Sequence, residues 1–290
     1  MLKLTYGLRS LFGTARGLRL LATNVLAAFG LISAVVQLGA QLVPTVMPDT
    51  TVVIIAAVSS CLVWGMVRAY PRRRLQYEFT HPAMSITVEV GDLFDQEVDL
   101  VVGFSDTFDT ATDDRELISS DSVQGQLVQR LYGGDAKRLD RDLRAALAGV
   151  SPTGRETRRA KPKGNLLRYP LGTVAVLHRS GRRIFAVAYS RMGTDYVARS
   201  SVDNLWLSLN GLWDAVYRHG QRGQLAIPLL GSGLARIDAL DRESLLKMIL
   251  LSFVARSREA QLCREFRVLI HPDDVDRINL LEVAAFIRTL

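Results

Sequence analysis

The chain opens on two long stretches without charge. No residue between 20 and 48 is charged, and none between 51 and 67. A bilayer core takes about 17–25 apolar residues per helix, and residues 20–43 and 51–67 both supply them. The segment between, "PTVMPDT", has two prolines and one charge, Asp49. The pattern predicts a helical hairpin over residues 20–70, with helices over 20–43 and 51–69 and a tight turn. Past Arg74 the pattern is that of an ordinary globular chain. Residues 85–90, "SITVEV", alternate as a strand, and 97–104 read as a buried strand. Two helical stretches fill 122–148, split at "YGGD". Strands follow at 166–178 and 183–189 around the turn "RSGR". A helix over 202–219 carries Leu205, Leu209, Leu212 and Val216 on one face. Strand 224–230, helix 241–257, strand 265–271 and helix 275–288 complete the chain. Strands that first pair and then alternate with helices imply a mixed sheet flanked by helices. The expected organisation is a basic N-terminus over 1–19, the transmembrane hairpin over 20–70, a linker over 71–83 and an α/β domain over 84–290.

Charge adds orientation. The formal net charge is +7. Lys3, Arg9, Arg16 and Arg19 precede the first span, Arg68, Arg72, Arg73 and Arg74 follow the second, and the turn has none. Basic flanks stay on the cytoplasmic side. A multi-pass membrane protein is expected, with both termini and the globular domain in the cytoplasm. The first apolar run exceeds the 7–15 apolar residues of a signal peptide, and no small-residue cleavage site follows it. Much of the excess charge sits where this rule wants it, so no nucleic-acid partner is implied.

Small residues form stripes in both spans: Ala27, Gly30 and Ala34 continuing into Gln37 and Gln41, and Ala57, Cys61 and Gly65. Such spacings let helices approach closely in lipid and amides bond across the contact. They suit packing within the hairpin, between chains, or both. Neither span has an acid or base at its midplane, which argues against a transporter. Cys61 and Cys263 form no metal or disulfide pattern. The four histidines lack metal-ligand spacing, and no metal is expected. Trp206 and Trp213, seven apart, read as core. The basic loop 151–164 reads as solvated.

"LAIPLLGSGLARID" carries the candidate chemistry. A glycine-rich turn after a buried strand lets backbone N–H groups converge on phosphate. The dinucleotide fingerprint is excluded, since Arg236 stands where its third glycine belongs, and the Gly-Lys-Ser/Thr of a Walker loop is absent. By itself the turn is a plain loop. It has company, however. "VEVGDLFDQEVDLVVGFSDTFD" (88–109) is similar to the opening of macro domains, and "LNGLWDAVYRHGQRGQLAIPLLGSGLARID" resembles their later half. "YPLGTVAVL", "VDNLWLSLNGLW" and "IPLLGSGLARI" look closest to the macro domains of bacterial Thoeris antiphage effectors. Some of those carry two transmembrane helices first. The resemblance covers residues 84–290.

The resemblance implies a site for ADP-ribose or a derivative. Asp92 would accept from the adenine amino group and Leu93 would give backbone contact to the base. Gly231, Ser232, Gly233, Leu234 and Ala235 would form the diphosphate loop, with Arg236 adding charge. Ser105 and Asp106 would fall in the loop facing the distal ribose. That loop reads "GFSDTFD" where many macro domains have an Asn-Ala-Ala-Asn signature, which argues against hydrolysis, so no catalytic residue and no cofactor is expected. The implied protein is a membrane effector. It senses a nucleotide signal, expected to be a histidine–ADP-ribose conjugate made by a TIR-domain partner, then forms homo-oligomers and disrupts the membrane. The alternatives are a membrane-tethered ADP-ribosyl hydrolase and a static ADP-ribose reader.

Overall fold

The computed structural model describes residues 15–42, 50–69, 74–111, 117–233, 237 and 239–290. The expected turn at 43–49, the flanking Lys3, Arg9, Arg72 and Arg73, and Leu234, Ala235 and Arg236 of the candidate site lie outside them. The chain divides into two units, residues 1–73 with 279–285 and residues 74–278 with 286–290.

The first unit holds two apolar helices, α1 (Ala15–Leu42) and α2 (Thr50–Ala69), packed on one another. Both are long and apolar enough to cross a bilayer. The stripe Ala57, Cys61, Gly65 of α2 turns inward: Cys61 and Gly65 are buried, and a side chain at Gly65 would run into Val25. The stripe on α1 does the opposite. Ala27, Gly30, Ala34 and Gln37 are exposed, and nothing lies within 4 Å of a side chain built at Gly30. The inward face of α1 is instead the row Val25, Ala28, Ile32 and Val36, at steps of three and four.

The second unit is a three-layer α/β fold. Its sheet runs in the order β1 (Arg74–Phe79), β2 (Met84–Val90), β10 (Cys263–Ile270), β9 (Arg222–Pro228), β3 (Asp99–Ser105), β7 (Arg182–Met192), β6 (Val174–Arg179), and the short β8 (Ala198–Arg199) pairs with β7. The five central strands β2, β10, β9, β3 and β7 are parallel, while β1 and β6 close the edges antiparallel. Parallel strands need cover on both faces. Helices α3 (Val123–Tyr132) and α4 (Ala136–Ala146) supply it on one side, where Leu127, Val128, Leu139 and Leu143 meet Leu100, Val102 and Phe104 of β3. On the other side α5 (Val202–His219) and α6 (Arg242–Glu259) meet β10 through Trp213, Phe253 and Phe266, whose rings lie 3.9–5.5 Å apart. A last helix, α7, spans Leu280–Ile287; its residues 280–285 belong to the first unit and 286–287 to the second. The short strands β4 (Gly154–Arg155) and β5 (Leu167–Arg168) pair only with each other.

Several elements differ from the expected ones. The linker over 71–83 contains strand β1: "RLQYEF" alternates exposed and half-buried positions as an edge strand does. The strand expected over 166–178 is broken by "YPLG", where Gly172 sits at φ +85° and Pro170 supplies no N–H. The final helix is split, with a 3-10 turn at Pro272–Arg277 ahead of α7. Trp213 is fully buried as expected, but Trp206 is 40% exposed. The four histidines are exposed, and among the described residues no cluster could hold a metal ion. Cys263 is buried and free, and burial, with Glu265 and Asp99 nearby, pushes its thiol well above the usual range.

Helix α6 starts at Asp241, whose carboxylate accepts from the Ser244 N–H at 2.7 Å. That bond holds the acid below its ordinary value. Its stabilisation is therefore present at neutral pH and fades as pH falls through the folded value. Replacing Asp241 by Ala is expected to cost about 1 kcal/mol at neutral pH and less in acid. Thermal melts of both proteins across pH 3–7 test this, and an equal difference at every pH would refute it.

Candidate ligand site at the strand ends

Five parallel strands end on one edge, and ligands of open α/β sheets bind at the carboxyl ends of strands. The described sequence-predicted residues all fall there. Asp92 and Leu93 follow β2, Ser105 ends β3 with Asp106 next, and Gly231, Ser232 and Gly233 follow β9. In sheet order β9 lies beside β3 and is separated from β2 by β10 alone. At a strand spacing near 4.8 Å, Asp92 and the glycine turn are about 10 Å apart across the sheet, and the β3 loop is roughly one spacing further on.

Asp92 caps a 3-10 turn: its Oδ1 accepts from the Phe94 N–H at 2.8 Å. Its Oδ2 accepts from Arg130 Nη1 at 2.6 Å, and Arg130 Nη2 reaches Asp95 at 2.5 Å. The guanidinium lies 5.5 Å from the centre of the Phe94 ring. Asp95 first, then Asp92, raise the pKa of Arg130. Arg130, on α3, was not legible in the sequence, because 38 residues separate it from Asp92. Leu93 is buried and serves the core.

The glycine turn is held from below. Gly231 sits at φ +83°, where a side chain would press on Ile237 and Leu245, so glycine is required there. The Tyr189 ring, on β7, lies against Gly103 of β3. Burial pushes its phenol up to about 12, and a hydrogen bond from the Gly231 backbone pulls the other way. Ser232 Oγ donates to the Leu229 carbonyl at 2.8 Å. Gly233 is exposed, with nothing within 4 Å of a built side chain. It marks the open side of the turn.

The side chains of Ser105 and Asp106, at the end of β3 and in the loop after it, turn inward. Asp106 is 2% exposed. Its Oδ1 accepts from the Met192 N–H at 2.9 Å and its Oδ2 from Arg168 Nη1 at 2.7 Å. The same guanidinium donates to Glu156 and to the Met192 carbonyl. Buried Ser105 faces Thr107, 3.2 Å away, and Thr107 donates to Asp109 at 2.5 Å. Both side chains are thus already engaged, and this loop offers the edge chiefly its backbone.

Asp109 is the centre of that network. Lys161 Nζ lies 2.6 Å from its Oδ2, with the two side chains 0% and 1% exposed. Lys161 also donates to the Asn165 carbonyl at 2.7 Å, and the Asn165 N–H donates to Asp109 Oδ1 at 2.6 Å. The basic loop 151–164 is therefore not merely solvated, because Lys161 anchors it inside the domain. A lysine among four other basic residues in "GRETRRAKPKG" gives no sequence signal that it is the buried one.

This strand order and this edge define a macrodomain. An Oceanobacillus iheyensis macrodomain with ADP superposes with a TM-score of 0.51 at 12% identity, covering 76% of this chain and 100% of that one. A variant of the same macrodomain with ADPR gives 0.50 at 11% identity, covering 74% and 99%. The family model "Thoeris protein ThsA, Macro domain" matches residues 86–271, and the chain belongs to that family. The Thoeris protein ThsA of Bacillus amyloliquefaciens (strain Y2) is 25% identical over 207 residues, 69% of this chain and 67% of that protein.

Proposed function

We propose that this chain is a membrane-anchored effector of a Thoeris-type antiphage system, whose macro domain binds an ADP-ribose-derived signal at the strand-end edge. The observation that carries this reading is the convergence of Asp92 and the Gly231–Gly233 turn on one edge in a chain of the ThsA family. The adenine amino group would donate to Asp92, sharing it with Arg130, and the turn would receive the diphosphate. Related macrodomains with ADP and with ADPR support that ligand class. The expected signal is histidine–ADP-ribose from a TIR-domain partner.

The helices support the membrane half. Leu26, Leu31, Val35, Ile55 and Val67 are 61–71% exposed, which suits lipid rather than water. The outward stripe Ala27, Gly30, Ala34, Gln37 suits contact between copies on activation. Binding must favour the assembled state to gate anything. Moving the population from mostly resting to mostly assembled takes roughly 5.5 kcal/mol of differential binding, which several subunits would share.

Calorimetric titration of the full chain in lipid nanodiscs with ADP-ribose and its histidine conjugate tests the site. The conjugate is expected to bind more tightly, and Asp92→Ala and Gly233→Glu are expected to weaken it at least about 100-fold. Gly233→Glu faces open space, so its melting temperature is expected to match the parent's. Equal binding of both ligands would favour a general reader, release of ADP-ribose from a modified protein would favour a hydrolase, and binding of neither would refute the site.

A further inference from the structure

A second concavity lies away from the glycine turn and Asp92. It has a volume of about 290 Å³ and opens between α4, the 155–167 segment and the outer side of the loop after β3. Its lining includes none of the residues assigned above to the ADP-ribose site. Its apolar walls are Leu143 of α4, Leu147 at its C-cap, Leu166 and Leu167, with the rings of Phe108 and Tyr169, which meet edge to face at 5.7 Å. Three guanidinium groups border it: Arg144, Arg155 and Arg158. One carboxylate, Asp140, answers them, and it is held by Arg144 at 2.7 Å and by the Asn165 amide at 3.0 Å. Among the described residues Arg158 donates to backbone carbonyls, that of Gly164 at 2.8 Å and that of Pro162 at 3.4 Å. Two cations, Arg155 and Arg158, thus stand at an aromatic-walled hollow without a carboxylate partner among the described residues.

Such a site favours one chemistry. Guanidinium forks match phosphate and carboxylate oxygens, and an apolar floor takes a flat body. We propose that this hollow is a second binding site, for a small organic anion carrying a phosphate or carboxylate on a flat apolar body. Its inner wall is Thr107 and Phe108, the same loop that borders the strand-end edge. Occupancy would therefore press on the β3 loop from behind, and any effect on the first site would be reciprocal. The inference concerns separate residues and does not depend on the ADP-ribose assignment.

The test titrates the full chain in nanodiscs with phenyl phosphate, benzoate and inorganic phosphate, with and without saturating ADP-ribose. Phenyl phosphate and benzoate report which anionic head is preferred, and inorganic phosphate reports the head without the body. The expected result is saturable binding of an aromatic probe, at least about tenfold tighter than inorganic phosphate. Arg155→Gln should weaken it about tenfold. Arg155 is exposed, so the melting temperature should not move. Leu167→Trp, which narrows the hollow from its 39% exposed rim, should also weaken it. Absence of saturable binding, binding untouched by both substitutions, or displacement of the probe by ADP-ribose would each overturn the proposal.

Discussion

Replacing Lys161 by Met is expected to destabilise the macro domain by about 3–5 kcal/mol, because it leaves the Asp109 carboxylate buried without a counter-charge. The geometry makes the cost large. Asp109 is 1% exposed, and its remaining partners, the Thr107 hydroxyl and the Asn165 N–H, are neutral. The 154–165 loop hangs on this pair, since Gly164, at φ +77°, lies against the same carboxylate. For a domain of this size the loss corresponds to a fall of about 10 °C in melting temperature. Adding Asp109→Leu to Lys161→Met should restore a large part of it, because a buried pair replaced as a whole costs far less than one broken in half. Thermal unfolding of the full chain in detergent, followed by near-ultraviolet circular dichroism, measures both. A single variant melting within about 2 °C of the parent would show that water or a neighbour compensates Asp109 and that the pair holds nothing.

Two glycines in the hairpin should separate packing within a chain from contact between chains. Gly65→Leu pushes a side chain into Val25 and should disrupt the hairpin itself. At Gly30 an added Cβ meets nothing within 4 Å among the described residues. Under the proposed function both abolish toxicity when the signal is present. Only Gly65→Leu should change the α1–α2 packing, read by cysteine cross-linking between the helices. Gly30→Leu should leave that cross-link intact while removing the cross-link between copies. Full toxicity in Gly30→Leu would end the case for the outward stripe as the assembly face, and would leave α2 or the macro domain to carry it.

Much of this molecule is legible in one dimension. The two uncharged runs became α1 and α2, because no other segment offers that length without charge. Strands β2, β3, β9 and β10 and helices α3 to α6 stand close to where periodicity placed them, since each has a strong apolar face and most have a capping residue, such as Ser122, Ser201 or Asp241. The positions of Asp92 and Gly231 at strand ends were also set locally, by a turn aspartate and a glycine that must take positive φ. Strand β1 escaped because an edge strand buries little and alternates weakly.

The tertiary structure decided the rest. Which small-residue stripe faces inward depends on how two helices rotate against each other, and both stripes satisfy the same spacing. Whether the acids of "SDTFD" face a ligand or the interior depends on cations that arrive from far along the chain, Arg168 to Asp106 and Lys161 to Asp109. A charge is buried only where a partner meets it, and a sequence lists charges without their partners. The same reason hid Arg130 beside Asp92. Local pattern fixes elements and turns, while the pairing of polar groups across them is a property of the packed chain.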